Sequence, residues 1–233
     1  MFALICAYVM IYSAVHDFPL AVQINAGVAS GAALPVIVLD AGHGGIDGGC
    51  VAVDGTLEKG INLAIMTTLR DQLVALGYTV EVTRSEDISI HDEGVTGLMN
   101  QKKNDMANRL ALFNKYDNAI CVSVHQNQFT SAKFNGAQMF YSAKNPLSQR
   151  LAQLMQTGMV SNLQPANKRE IKLSGDELYL LYYCKNPAVM AECGFLSNPA
   201  EAALLENPDY QKKVAFTLCT AIVQFIAENY SME

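Results

Sequence analysis

Apolar positions along the chain fall into two alternating kinds of segment. Continuous apolar runs of five or six residues occur at Val36–Asp40 (VIVLD), Ala119–Val124 (AICVSV) and Ala188–Cys193 (AVMAEC). Runs of this length, rich in β-branched residues and bounded by polar or glycine-rich stretches, predict strands buried on both faces. Tyr78–Thr83 and Gly136–Ser142 predict two further strands. Between them the spacing changes to three and four residues. Ile61, Leu63, Ala64, Leu69, Leu73 and Leu76 place one apolar stripe on a helix over 57–76, with Gly77 as its stop. Met106, Leu110 and Phe113 do the same over 101–116, and Leu147, Leu151, Leu154 and Met155 over 146–163. The segments 85–100 and 164–183 carry no clear period and predict loops. Residues 198–230 predict one or two terminal helices, broken near Pro208.

Strands alternating with helices imply a single α/β domain, a largely parallel twisted sheet flanked by helices on both faces. In such sheets ligands gather beyond the carboxyl ends of the strands. The glycine-rich stretch Ala41–Gly49 and His125 follow two strand ends directly, and Glu192 lies near the end of a third.

The N-terminus reads differently. Met1–Val15 is uncharged and apolar but shorter than the roughly 20 residues of a spanning helix. It suits the apolar region of a signal peptide, although no Lys or Arg precedes Lys59. Residues 1–34 are expected to be a signal or anchor remnant followed by an Ala/Gly-rich linker, and 35–233 the folded domain. An exported or membrane-anchored, extracytoplasmic protein follows from that expectation.

With 233 residues, 51% of them hydrophobic and 16% charged, disorder is excluded and one substantial core is affordable. A net charge of −6 without a basic cluster argues against nucleic acid as a partner. The six cysteines contain no C-x-x-C pair, so a cysteine zinc finger is not expected; Cys121 and Cys193, inside apolar strands, read as buried free thiols.

The candidate chemistry is concentrated in few residues. His43 sits among small neighbours that let a ligand approach, and His125 ends an apolar strand. Glu58 opens the first helix, where a carboxylate is favoured by the helix dipole alone. Glu192 is embedded in an apolar strand, where an ionised group is costly unless paired or metal-bound. Two histidines and one carboxylate form a catalytic zinc set with one position open, and a second carboxylate can move the proton of the attacking water. On chemistry alone, either Glu58 or Glu192 can be the ligand. Asp47 is read as orienting a ligand imidazole or stabilising a turn, and Asn127 as a substrate contact. Arg84 is read as a structural salt-bridge donor, and His91 and His16 as uninvolved. The segment 164–183, with Lys168, Arg169, Lys172 and several tyrosines, is either a wall of the substrate groove or an ordinary surface loop.

Across about residues 36–229 the chain resembles the zinc-dependent N-acetylmuramoyl-L-alanine amidases of the amidase-3 type. The resemblance rests on V-I-V-L-D-A-G-H-G-G-I-D-G-G, Glu58 with Asn62-Leu63, V-S-V-H-Q-N and A-E-C-G-F-L-S-N-P, in this order. It implies Zn²⁺ held by His43, Glu58 and His125, with Glu192 as the catalytic carboxylate. It further implies a peptidoglycan substrate cut between the muramic acid lactyl group and L-alanine, and it leaves room for an activator protein. The run N-G-A-Q-M-F-Y at 135–141 looks most like the spore-cortex, germination-related branch, which trims stem peptides before the cortex lactam forms. Gln128 and Phe129 depart from the small residue usual after H-x-N, which bears on the rim of the pocket.

Two rival classes make different demands. A dinucleotide-binding module would use the loop after the first strand, but Asp47 stands where the third glycine of G-x-G-x-x-G belongs, and His125 and Glu192 are left without a role. A non-catalytic wall-binding domain has no need to keep all four candidate residues.

Overall fold

The computed structural model describes residues 34–230. The expected signal or anchor remnant and linker, with His16 and Cys6, lie outside the described residues, apart from Leu34.

Six strands form one sheet in the order β2-β1-β3-β6-β4-β5. They are β1 (Val36–Ala41), β2 (Val80–Val82), β3 (Ala119–Asn127), β4 (Gln138–Tyr141), β5 (Lys172–Leu173) and β6 (Ala188–Phe195). The pairs β1–β2, β1–β3, β3–β6 and β4–β5 are parallel, and β4 runs antiparallel to β6. The central strands β1, β3 and β6 are the three continuous apolar runs, and nearly every residue in them is buried.

Helices cover both faces. On one, α1 (Glu58–Ala75) and α3 (Leu147–Asn162) pack against the long terminal helix α6 (Pro208–Asn229). On the other, α2 (Leu98–Phe113) and the short α4 (Tyr179–Tyr183) pack together, and Phe113, Leu180 and Leu181 join Val38, Cys121 and Met190 of the sheet in a dry cluster. The expected architecture is the one observed. Among the described residues no helix is long and apolar enough to cross a membrane, and Cys121 and Cys193 are buried free thiols.

Local chemistry sets the element ends. α1 stops at Gly77, whose φ is 92°: Gly77 N donates to Val74 O and Tyr78 N to Leu73 O, the paired bonds of a glycine-terminated helix. The terminal segment is two helices. Asn198 caps α5 (Pro199–Leu205) and Asn207 caps α6, each accepting from two backbone N–H groups ahead of a proline at the first helical position. α2 begins three residues earlier than its apolar spacing predicts, because Gly97 (φ 85°) rather than the first apolar contact sets its start. The segment 164–183 also holds more structure than expected, namely β5 and α4.

Candidate active site

β1, β3 and β6 point their carboxyl ends at the same cleft, of about 450 Å³. The loop after β1 delivers His43, which has a φ of 63°, a left-handed conformation uncommon for a residue with a side chain. The end of β3 delivers His125, whose Cα partner across the parallel ladder is Glu192 of β6. The first turn of α1 delivers Glu58, which is fully buried.

His43, Glu58 and His125 each offer a ligand atom, and these atoms all lie within 4.8 Å of one another. Glu58 bridges the pair: Oε2 is 3.1 Å from His43 Nε2, and Oε1 is 3.0 Å from His125 Nδ1. Its remaining lone pairs accept from Cys50 N at 2.8 Å, Gln126 N at 2.9 Å and Asn62 Nδ2 at 3.0 Å. Burial disfavours the charged carboxylate, but the two histidines override it and hold Glu58 ionised well below the usual carboxylate range. Burial likewise opposes a charged His43, yet Glu58 and Asp47 push its imidazole up to about 9. Asp47 Oδ2 meets His43 Nδ1 at 2.9 Å, on the ring nitrogen opposite the one that faces Glu58. Asp47 is itself tied to Lys102 Nζ at 2.9 Å.

This donor set fits a metal ion. Two imidazole nitrogens and a carboxylate, with further hydrogen bonds fixing their orientation, are what a catalytic zinc site with an open position needs. The backbone is cut close around it. A Cβ on Gly42 would stand 2.1 Å from the His125 ring, and one on Gly49 would stand 2.5 Å from Glu58 Oε2.

Glu192 lines the same cleft. Its Oε2 is buried with no hydrogen-bond partner among the described residues. Burial pushes this carboxyl up to about 7, with Glu58 adding to the effect and the imidazoles opposing it.

Asn127 and Gln128 line the cleft, and Gln128 Nε2 reaches Val51 O at 3.3 Å, so this departure from the usual motif does sit at the rim. Phe129 turns away and packs edge-on against Phe134. His91 bonds Ser89 Oγ at 2.9 Å and lies off the cleft. The segment 164–183 supplies a wall, through residues 177–180. Lys168 and Lys172 do not line it, and Arg169 instead stacks over Phe195 and donates to Gln138 Oε1.

Arg84 corrects an expectation. Among the described residues it forms no salt bridge; its guanidinium donates to the carbonyls of Ala41, Gly42, Lys59 and Glu86 at 2.8–3.0 Å. The reason is local: the glycine-rich loop has more carbonyls than its own turns can satisfy, and a buried planar donor serves several at once. The ionic tie that sequence reasoning missed is the buried pair of Arg109 on α2 and Asp40 at the end of β1. Asp40 carried the signal already used for Glu192, an ionisable group inside an apolar strand.

Residues 37–224 match the family described as Amidase_3, N-acetylmuramoyl-L-alanine amidase. The chain belongs to this family. The germination-specific N-acetylmuramoyl-L-alanine amidase of Bacillus subtilis (strain 168) is 36% identical over 193 residues, covering 83% of this chain and 80% of the relative. The CwlD amidase of Clostridioides difficile, solved in complex with the GerS lipoprotein, is 36% identical with a TM-score of 0.80, over 84% of this chain and 100% of that one. A second amidase, from Clostridium difficile 630, superposes with a TM-score of 0.72 at 26% identity, over 84% of this chain and 98% of that one. As a member of this family the protein is an amidase that acts on peptidoglycan.

Proposed function

We propose that the protein cleaves the amide between the lactyl group of N-acetylmuramic acid and L-alanine, using zinc held by His43, Glu58 and His125 and a proton carried by Glu192. One observation carries the reading: three ligand atoms converge within 4.8 Å in the cleft that Glu192 also lines, its buried oxygen unpartnered. When bound, zinc polarises the scissile carbonyl and lowers the pKa of water towards about 7. The remaining steps belong to the chain. Asp47 at His43 Nδ1 directs Nε2 into the site, and Asn62, Cys50 N and Gln126 N fix the Glu58 carboxylate. Glu192, poised near neutrality, takes a proton from the attacking water and returns it to the departing amine nitrogen of L-alanine. Asn127, which lines the cleft at the end of β3, is assigned a substrate contact.

The B. subtilis relative's germination-specific role, together with the 135–141 run, supports work on spore-cortex peptidoglycan, outside the cytoplasm and at the forespore. The C. difficile amidase is bound to a lipoprotein, which supports a protein activator for this chain as well. We take residues 35–233 as the catalytic domain.

The test is metal analysis of the purified protein, with digestion of defined muropeptides in the presence and absence of a chelator. One zinc per chain and chelator-sensitive release of free stem peptide are expected. A metal-free protein that still cuts the substrate would overturn the reading.

A further inference from the structure

We propose that the tyrosines of α4 form a stacking subsite for the glycan strand, which extends the cleft on its muramic acid side. The inference rests on the amidase reading and concerns where its polymeric substrate lies.

The sequence of α4 is YLLYY. Leu180 and Leu181 are buried against the sheet, whereas Tyr179, Tyr182 and Tyr183 are 39%, 37% and 50% exposed. Their rings touch in a row: the centroids of Tyr179 and Tyr183 are 4.9 Å apart, and those of Tyr183 and Tyr182 also 4.9 Å. Tyr179 lines the catalytic cleft, so the row begins at the active site and runs outward over the surface. Among the described residues none of the three hydroxyls is tied into a hydrogen bond of the protein. An exposed run of contiguous aromatic rings marks an interaction surface.

The chemistry of the row selects its occupant. A pyranose ring has an apolar C–H face and a polar rim, and tyrosine presents the same combination, a ring face with a hydroxyl at its tip. The scissile amide branches from a glycan strand, so a muramic acid ring held at the cleft forces its neighbouring sugars along one wall. The α2 side of the cleft is charged, with Lys102 and Asp105 among its residues, and suits the peptide branch. The α4 side carries charge as well, with Glu177 lining the cleft and Lys144 Nζ 5.2 Å from the Tyr182 ring centroid, but what distinguishes it is the row of exposed tyrosine rings and hydroxyls, which suits sugar faces.

The experiment titrates two probes into the zinc-loaded full chain by calorimetry: peptide-free glycan strands, which the reaction itself leaves behind, and the free stem peptide. For Y182A/Y183A the glycan Kd is expected to weaken by about tenfold or more, the loss of roughly one stacked ring face, while the peptide Kd holds. Y182F/Y183F, which keeps the rings, is expected to stay within about twofold of wild type. Thermal melting confirms that each variant is folded. An unchanged glycan Kd, no glycan binding by wild type, or an equal loss for the free peptide would overturn the proposal. So would a change in oligomeric state caused by the alanines, which would assign the row to a second copy. Hydrolysis of muropeptides is measured alongside, so an active enzyme that ignores the glycan sinks this inference and leaves the amidase reading intact.

Discussion

Arg109 Nη1 donates to Asp40 Oδ1 at 2.5 Å in the interior, and the same guanidinium holds the carbonyls of Ala41 and His43 at 2.8 and 2.7 Å. Asp40 also accepts from Ser123 at 2.5 Å and from Thr83 at 2.7 Å. Burial opposes its charge, yet Arg109 and these bonds hold the carboxyl below the usual range. The pair therefore locks α2, β1 and the loop that carries His43 into one geometry. Arg109→Met strands the buried Asp40 carboxylate, the Asp105 carboxylate that Arg109 Nε holds at 2.6 Å, and the carbonyls of Ala41 and His43. It is expected to cost about 3–5 kcal/mol in urea unfolding and to weaken zinc binding. Wild-type stability and zinc affinity in that variant would contradict the assigned role.

Glu192→Gln separates catalysis from metal binding. The variant keeps shape and burial but carries no proton, so hydrolysis is expected to fall by about 10²–10⁴-fold while one zinc per chain remains. Stability of the metal-free protein moves the other way. The carboxyl titrates at 4.5 when unfolded and at about 7 when folded. The native state therefore loses stability as the pH rises from 4.5 to about 7, by about 3 kcal/mol at most, and the loss then stays constant. Above pH 7 the glutamine variant is expected to melt higher than wild type, and below pH 4.5 the difference vanishes. A pH-independent gap in melting temperature would show that Glu192 is not buried as a neutral acid.

The central sheet was legible because its physical signal is local, whereas of the four candidate residues only Glu192 carried such a signal; His43, Glu58 and His125 were singled out by the motifs they sit in. β1, β3 and β6 are buried on both faces and so read as unbroken apolar runs, and Glu192 stood out as a charge among them. The β4 segment was legible as a strand, but its antiparallel direction is set by pairing with β6, which leaves no mark in spacing. α4 escaped because five residues are too few to show a helical period. Arg109 escaped for another reason: an arginine on an amphipathic helix looks solvent-facing until the strand end opposite it is known to carry Asp40.

In the proposed zinc site the charge on His43 governs how the metal enters. In the metal-free protein its imidazole is pushed up from 6.5 to about 9 by Glu58 and Asp47, against the effect of burial. That interaction stabilises the metal-free fold fully below pH 6.5 and is lost as the pH rises through about 9. Zinc needs the neutral ring, so binding at pH 7 expels a proton from His43. Competition with a chelator should show affinity rising about tenfold per pH unit between 7 and 9. An affinity that is flat over that range would mean His43 is already neutral or is not a ligand. His43→Gln is expected to abolish both the metal and its pH dependence.

Gly42 offers a test of the proposed metal centre that substitutes none of its three assigned ligands. A Cβ there would stand 2.1 Å from both Cε1 and Nε2 of His125, so Gly42→Ala must push the imidazole aside. Crowding of this kind in a packed site costs about 1–3 kcal/mol, which a well-packed α/β domain can absorb while remaining folded. Zinc content and amidase activity are therefore expected to fall together, with the far-ultraviolet circular dichroism unchanged. Gly55→Ala is the matched control: its φ of 97° makes a side chain strained, but nothing lies within 4 Å of the new methyl. It should lose about 1–2 kcal/mol of stability to backbone strain and keep its zinc and its activity. If Gly42→Ala retains full zinc and full activity, His125 does not occupy the ligand position assigned to it.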